Sequence, residues 1–261
     1  MEASGYLAWP VVADVTMGLI VDGTHRFGAV LHRLKGQRIL VQNENFFSPE
    51  VEIHSWCRVF PNLDADRFSR LIEEHGLMEV EAPPSPERAL LLFDQRAYSL
   101  PPGSDIYEEY EGLHRLEKEM GLEEGDTRQT FVTEEEARKF VGRRNTLVIF
   151  PPIVEKTALI HSHRGPLPPK STRFVFPFRV LGLKVPLDML TDPGDLKEFT
   201  ARLEEMKREP ILYLGRGLVI DRVYQEEIYI YQGYTMPRDF FLREEDYRSY
   251  LKRLKEAEVL S

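Results

Sequence analysis

Cysteine is nearly absent from this 261-residue chain: Cys57 stands alone, which excludes an internal disulfide framework and leads to the expectation of a reducing, cytoplasmic setting. Apolar runs of about 20 residues are missing, so no membrane-spanning helix is expected, and low-complexity tracts and long charge blocks are missing as well. The opening "MEASGYLAWPVV" has neither the basic flank nor the continuous apolar stretch of a secretory signal. Basic residues are outnumbered, 34 Lys and Arg against 43 Asp and Glu for a net charge of −9, and no basic run offsets the deficit. Such a chain repels nucleic acid, whereas a small anion held by a local loop remains compatible with it. Asn, Gln and Cys are scarce beside abundant Glu and Arg, a balance that fits a thermophilic source. What is present is a 42% share of hydrophobic residues, enough to bury the core of one large or two small domains.

The periodicities alternate between strand and helix and predict an α+β chain. "YLAWPVVADV", "MGLIVDG", "QRILVQNENF" and "VEIHSWCRVF" read as strands, as do "RALLLFDQRAYSL" and "NTLVIF". "FGAVLHRLKG" places Phe27, Val30, Leu31 and Leu34 on one helical face, and "DADRFSRLIEEHGL" reads as a helix that stops near Gly76. "SDIYEEYEGLHRLEKEMG" is expected to be a solvated acidic helix, and "FVTEEEARKFV" carries a capping box, with Thr133 as N-cap and Glu136 three residues on. "PGDLKEFTARLEEMKRE", "ILYLGRGLVID", "EEIYIYQGY" and "EEDYRSYLKRLKEAEVL" follow as helix, strand, strand and helix. The Pro-rich "EAPPSPE" is the first candidate boundary.

Between the strand "GLIV" and the helix lie Asp22, Gly23, Thr24, His25 and Arg26. Backbone N–H groups at a helix start form an anion site with help from Gly23, and His25 and Arg26 add directed donors for phosphate oxygens. Asp22 is then placed to hold a metal ion or to orient an attacking hydroxyl. A tight turn whose polar residues cap the helix and meet solvent explains the same five residues, and spacing alone leaves both readings open. Lys170 and Arg173 are likewise either solvated loop charges or anion binders. His161 and His163 alternate on a possible strand, but no Cys, Asp or Glu nearby completes a ligand set, so no metal site is assigned to them. Cys57 is expected to be an inert, partly buried side chain.

"IVDGTHR" resembles the signature loop of the ParB/sulfiredoxin-like superfamily, and most of all that of the archaeal free L-serine kinases, where two histidines precede the arginine; Thr24 replaces the first. Thr24 also stands where sulfiredoxins carry their catalytic cysteine, which leaves that chemistry without a nucleophile. "SGYLAWPVVAD", "VEIHSWCRVF", "LLLFDQRAYSLP" and "PPKSTRFVFPF" resemble further kinase segments, so that the likeness spans roughly residues 4–190. It implies a ParB/sulfiredoxin-like α+β fold and a kinase that transfers phosphoryl from ADP or ATP, with Mg²⁺, to L-serine. In that picture Gly23, Thr24, His25, Arg26 and Lys170 bind the nucleotide, Trp56, Ser171, Thr172 and Arg173 bind serine, and Asp22 is catalytic. A nucleotide-binding regulatory module without transfer activity is the alternative; a ParB-like nuclease is disfavoured by the acidic charge.

The resemblance also implies a rearrangement. The kinases open with a strand and helix carrying an essential glutamate, and "EEIYIYQGYTMPRDFFLREEDYRSYLKRLKEAEVLS" resembles that opening, with Asp239 at the glutamate position and Glu244 or Glu245 as alternatives. A circular permutation is therefore expected, in which residues 221–261 complete a first domain of residues 1–80 and residues 81–220 form a second α/β region; an unrelated C-terminal strand and solvated acidic helix is the alternative.

Overall fold

The computed structural model describes residues 5–81, 87–120, 130–161, 170–192, 194–220 and 222–261, and mixes helices with strands as an α+β chain does. Contacts divide it into two compact units, one made of Met1–Glu52 with Phe174–Ser261 and the other of Ile53–Arg173. The division therefore falls at 52/53 and 173/174, away from the expected 80/81 and 220/221. Strand pairing is the reason: Cys57–Phe60 is hydrogen-bonded to Leu147–Phe150 and Thr130–Val132, which commits it to the second unit. The Pro-rich break at 82–86 lies outside the described residues. Among those described, no helix is long and apolar enough to cross a membrane.

In the first unit, "YLAWPVVADV" is two strands, Tyr6–Leu7 and Val11–Asp14, separated at Pro10, which has no N–H to give to a ladder. Val11–Asp14 is wholly buried and central, antiparallel to Leu19–Asp22 and parallel to Val41–Asn43. Asp14 accepts the backbone N–H groups of Thr16 and Met17 and so closes the turn that sends the chain into Leu19–Asp22. A second sheet sets Glu227–Tyr231 between Phe178–Leu181, parallel, and Ile211–Gly215, antiparallel. The alternation in "EIYIY" turns Ile228 and Ile230 into a core shared with Tyr250 and Leu254 of the C-terminal helix Glu244–Leu260. Residues 223–261 are thus integral to the unit that carries the N-terminal strands.

The second unit is built on a six-stranded antiparallel sheet. "RALLLFDQRAYSL" is not one strand but a hairpin, Leu90–Phe93 and Arg96–Ser99, turned at Asp94 with φ of 54°. Helix Ile106–Glu119 was expected in solvent yet buries Tyr107, Tyr110, Leu113 and Leu116 together with Glu109 and Glu117. The two acids are tolerated inside because each is paired: Glu117 accepts from Arg58 Nε at 2.5 Å and Glu109 from the Ala89 N–H at 2.9 Å. Thr133 and Glu136 form the expected reciprocal capping box. His161 ends a short helix, Lys156–His161, and His163 lies outside the described residues, so the one-face strand pairing of these histidines does not apply.

Candidate functional site

Gly23 is buried with φ of 90° and ends the strand Leu19–Asp22. An L side chain is strained at that angle, and a Cβ there would meet Arg26 Nη2 at 2.6 Å, so glycine is what lets the Arg26 guanidinium fold back over the loop. Helix Thr24–Gly28 starts directly after it, with the Phe27 N–H donating to the Gly23 carbonyl. It then widens, the Leu34 N–H reaching the Ala29 carbonyl at 3.1 Å in a π-type turn. The widening shifts the helical phase: Val30 is buried as expected, but Leu31 is 45% exposed and off the core face. Thr24 and His25 are exposed, whereas Arg26 is half-buried and its Nε, fully buried, has no hydrogen-bond partner among the described residues.

Asp22 is gripped from the far end of the sequence. Its Oδ2 accepts from Arg179 Nη1 at 2.5 Å, and Arg179 Nε donates to Glu226 at 2.7 Å. Arg179 is itself buried, with the Phe176 and Tyr224 rings 4.8 and 5.6 Å from its guanidinium carbon. The other Asp22 oxygen, Oδ1, stands 3.9 Å from Arg26 Nη2, in ion-pair range but beyond a hydrogen bond. Burial pushes the Asp22 carboxyl up, yet Arg179, Arg26 and Arg222 together outweigh it and hold the group below the ordinary carboxylate value. Burial pulls the Arg26 guanidinium below its usual value despite Asp22. With Arg26, Arg179 and Arg222 facing Asp22 and Glu226, the cluster keeps a positive excess suited to an anion.

Trp56, Lys170, Ser171, Thr172 and Arg173 lie in the second unit. Trp56 is buried, with Lys170 Nζ 5.4 Å and the Arg173 guanidinium carbon 5.8 Å from its ring centroid. Ser171 is buried and its carbonyl accepts from the Tyr110 hydroxyl at 2.9 Å, which fixes the turn where Lys170 takes φ of 62°. Thr172 is half-buried at the start of strand Thr172–Val175. Arg173 lines a cleft of about 610 Å³ with Cys57, Arg88, Leu92, Arg138 and Phe150. Burial pushes the Cys57 thiol up to about 12, so it stays protonated at neutral pH. Native protein at pH 8 is therefore expected to resist iodoacetamide and to react only when unfolded; rapid alkylation of Cys57 in the native state is the contrary result.

Asp239 is exposed in the single turn Arg238–Phe240, whose Phe240 ring meets Trp9 edge-on at 5.8 Å. Glu244 is tied to Arg238 and Arg248, and Glu245 to Arg243. Arg179 and Glu226 are the residues sequence reasoning missed. Arg179 sits in the "FPFRV" alternation, where a buried arginine and a surface one look alike, and it stands 157 positions from the aspartate that it holds.

No family model and no curated protein matches the sequence. Among solved structures the chain is similar to a free serine kinase, a glutamate-to-alanine mutant in complex with ADP, with a TM-score of 0.58 and 25% identity over 72% of this chain and 82% of that one. A free serine kinase in complex with AMP matches with the same figures. SbnI from Staphylococcus aureus, with a C-terminal truncation, has a TM-score of 0.62 at 16% identity over 78% and 83% of the two chains, a likeness of fold alone. The architecture is therefore of the class found in nucleotide-bound serine kinases.

Proposed function

We propose that this chain is a nucleotide-dependent kinase of free L-serine that uses ADP or ATP and yields O-phospho-L-serine. The observation that carries the reading is the loop Asp22–Arg26, where a buried guanidinium nitrogen without a partner and a glycine cradle meet in a fold similar to that of an ADP-bound serine kinase. Phosphoryl transfer asks mainly for positioning and for charge stabilisation, and these residues offer both. Arg26, Thr24, His25 and the Gly23 backbone are assigned to the donor phosphates, with Lys170 as a further cation. Trp56, Ser171, Thr172 and Arg173 are assigned to serine, the planar Arg173 fork suiting its carboxylate. Mg²⁺ would neutralise phosphate charge when bound, and Asp22 Oδ1, which Arg179 leaves unbonded, is the carboxylate oxygen suited to it. A carboxylate held below its ordinary pKa by guanidinium groups is a weak base, so Asp22 serves as an electrostatic and orienting group, and Asp239 is assigned as the second carboxylate. The ParB/sulfiredoxin-like ancestry and the circular permutation belong to the same proposal, supported by the packing of residues 223–261 into the N-terminal unit.

Incubation with ADP or ATP, Mg²⁺ and L-serine, followed by mass spectrometry, is expected to show O-phospho-L-serine. Nucleotide binding without product would overturn the kinase reading in favour of a regulatory module. Arg26→Ala and Arg173→Ala are each expected to weaken nucleotide or serine binding by about 1.5 to 3 kcal/mol, the worth of a charged hydrogen bond. Unchanged calorimetric affinity for both ligands removes that assignment.

A further inference from the structure

Four alternating charges run through the first unit: Glu226, Arg179, Asp22 and Arg26. The first three are joined tightly, at 2.7 Å from Glu226 to Arg179 and 2.5 Å from Arg179 to Asp22, while the last gap, from Asp22 to Arg26, opens to 3.9 Å. Arg26, four residues on, is in ion-pair range of Asp22 but does not close to a hydrogen bond. Arg179 is fixed between the Phe176 and Tyr224 rings and anchored from behind by the buried Glu226, so it holds its place and Asp22 turns toward it. Arg26 keeps a buried Nε without a partner and a side chain 26% exposed.

We infer that Arg179, anchored by Glu226, is a positioning residue that keeps Asp22 off Arg26 and thereby leaves the Arg26 fork open to a nucleotide phosphate. The inference rests on the reading of the loop as a nucleotide site, but not on serine as the acceptor. Without Arg179, Asp22 is left with Arg26 already in ion-pair range and with the weaker pull of Arg222, so it closes on Arg26 and neutralises it before the nucleotide arrives. The charged groups around Asp22 are Arg26, Arg179 and Arg222, with Glu226 behind Arg179 and the Tyr224 ring beside it.

The test is ADP affinity, measured by calorimetry on the full chain with EDTA in place of Mg²⁺, so that the loss of a carboxylate suited to the ion does not enter the comparison. Arg179→Lys keeps a charge but cannot span both acids, and its dissociation constant for ADP is expected to rise about tenfold. Because Glu226 is then less well paired and folding is at risk, the double variant Arg179→Gln with Glu226→Gln removes both buried charges and is expected to show the same loss. The decisive measurement adds Asp22→Asn to each: with no carboxylate left to occupy Arg26, affinity is expected to return to within about threefold of wild type. A merely structural role for Arg179 would not be reversed by a second substitution. Wild-type affinity in the Arg179 variants, or failure of Asp22→Asn to restore it, overturns the inference. A wild-type chain that does not bind ADP overturns it together with the nucleotide reading, whereas ADP binding without phosphoserine overturns the kinase reading alone.

Discussion

Asp22→Asn is expected to retain the fold and ADP binding while losing phosphoryl transfer by about 10²- to 10³-fold, the scale on which removal of one preorganised electrostatic group acts in other enzymes. The substitution keeps the size of the side chain and an oxygen for Arg179 Nη1, and Arg179 still has Glu226, so no buried charge is left alone. What disappears is the negative charge that is suited to Mg²⁺ and orients the reacting groups. The acid limb of stability should change too. Because the Asp22 pKa is lowered in the folded chain, its ionised form adds stability above the ordinary carboxylate pKa, and that contribution is lost as the pH falls through the lowered folded value. The Asp22→Asn melting temperature should accordingly depend less on pH in that acid window than that of wild type. Phosphoserine formation by the variant at the wild-type rate would remove Asp22 from the mechanism.

Deletion of residues 221–261 is expected to unfold the first unit. It removes Glu227–Tyr231, the strand between Phe178–Leu181 and Ile211–Gly215, and it strips Tyr224, Ile228, Ile230, Tyr234, Met236, Phe241, Tyr250 and Leu254 from the core. At roughly 1.5 kcal/mol or more per buried large side chain the loss is about 12 kcal/mol, comparable with the whole stability of a domain. It also removes Glu226, leaving Arg179 buried with half of its counter-charge. Limited proteolysis should therefore cut readily within residues 5–52 of the truncated chain but not of the full one. A truncation ending at Asp192 that stays folded and makes phosphoserine at the full-length rate would refute the idea that the C-terminal stretch completes this unit.

What was readable in the sequence was local. The capping box at Thr133 and Glu136, the αL stop at Gly76 and the helix Glu244–Leu260 depend on residues within a few positions of one another, so their patterns survive in one dimension. The loop Asp22–Arg26 was legible for the same reason: a left-handed glycine between a strand and a helix is a short-range geometric demand. Errors arose where burial decided. The hairpin at Asp94 hid inside one apolar run, and helix Ile106–Glu119 looked solvated because its buried acids find Arg58 and the Ala89 N–H far along the chain.

The tertiary structure decided how the site is wired. Sequence by itself specified that an aspartate, a glycine and an arginine share one loop, and periodicity made "EIYIY" a half-buried strand. Only folding brought Arg179 and Glu226 to Asp22, because a charge in the interior needs an opposite charge or hydrogen-bond partners beside it, and which partner it meets depends on strand order rather than on spacing.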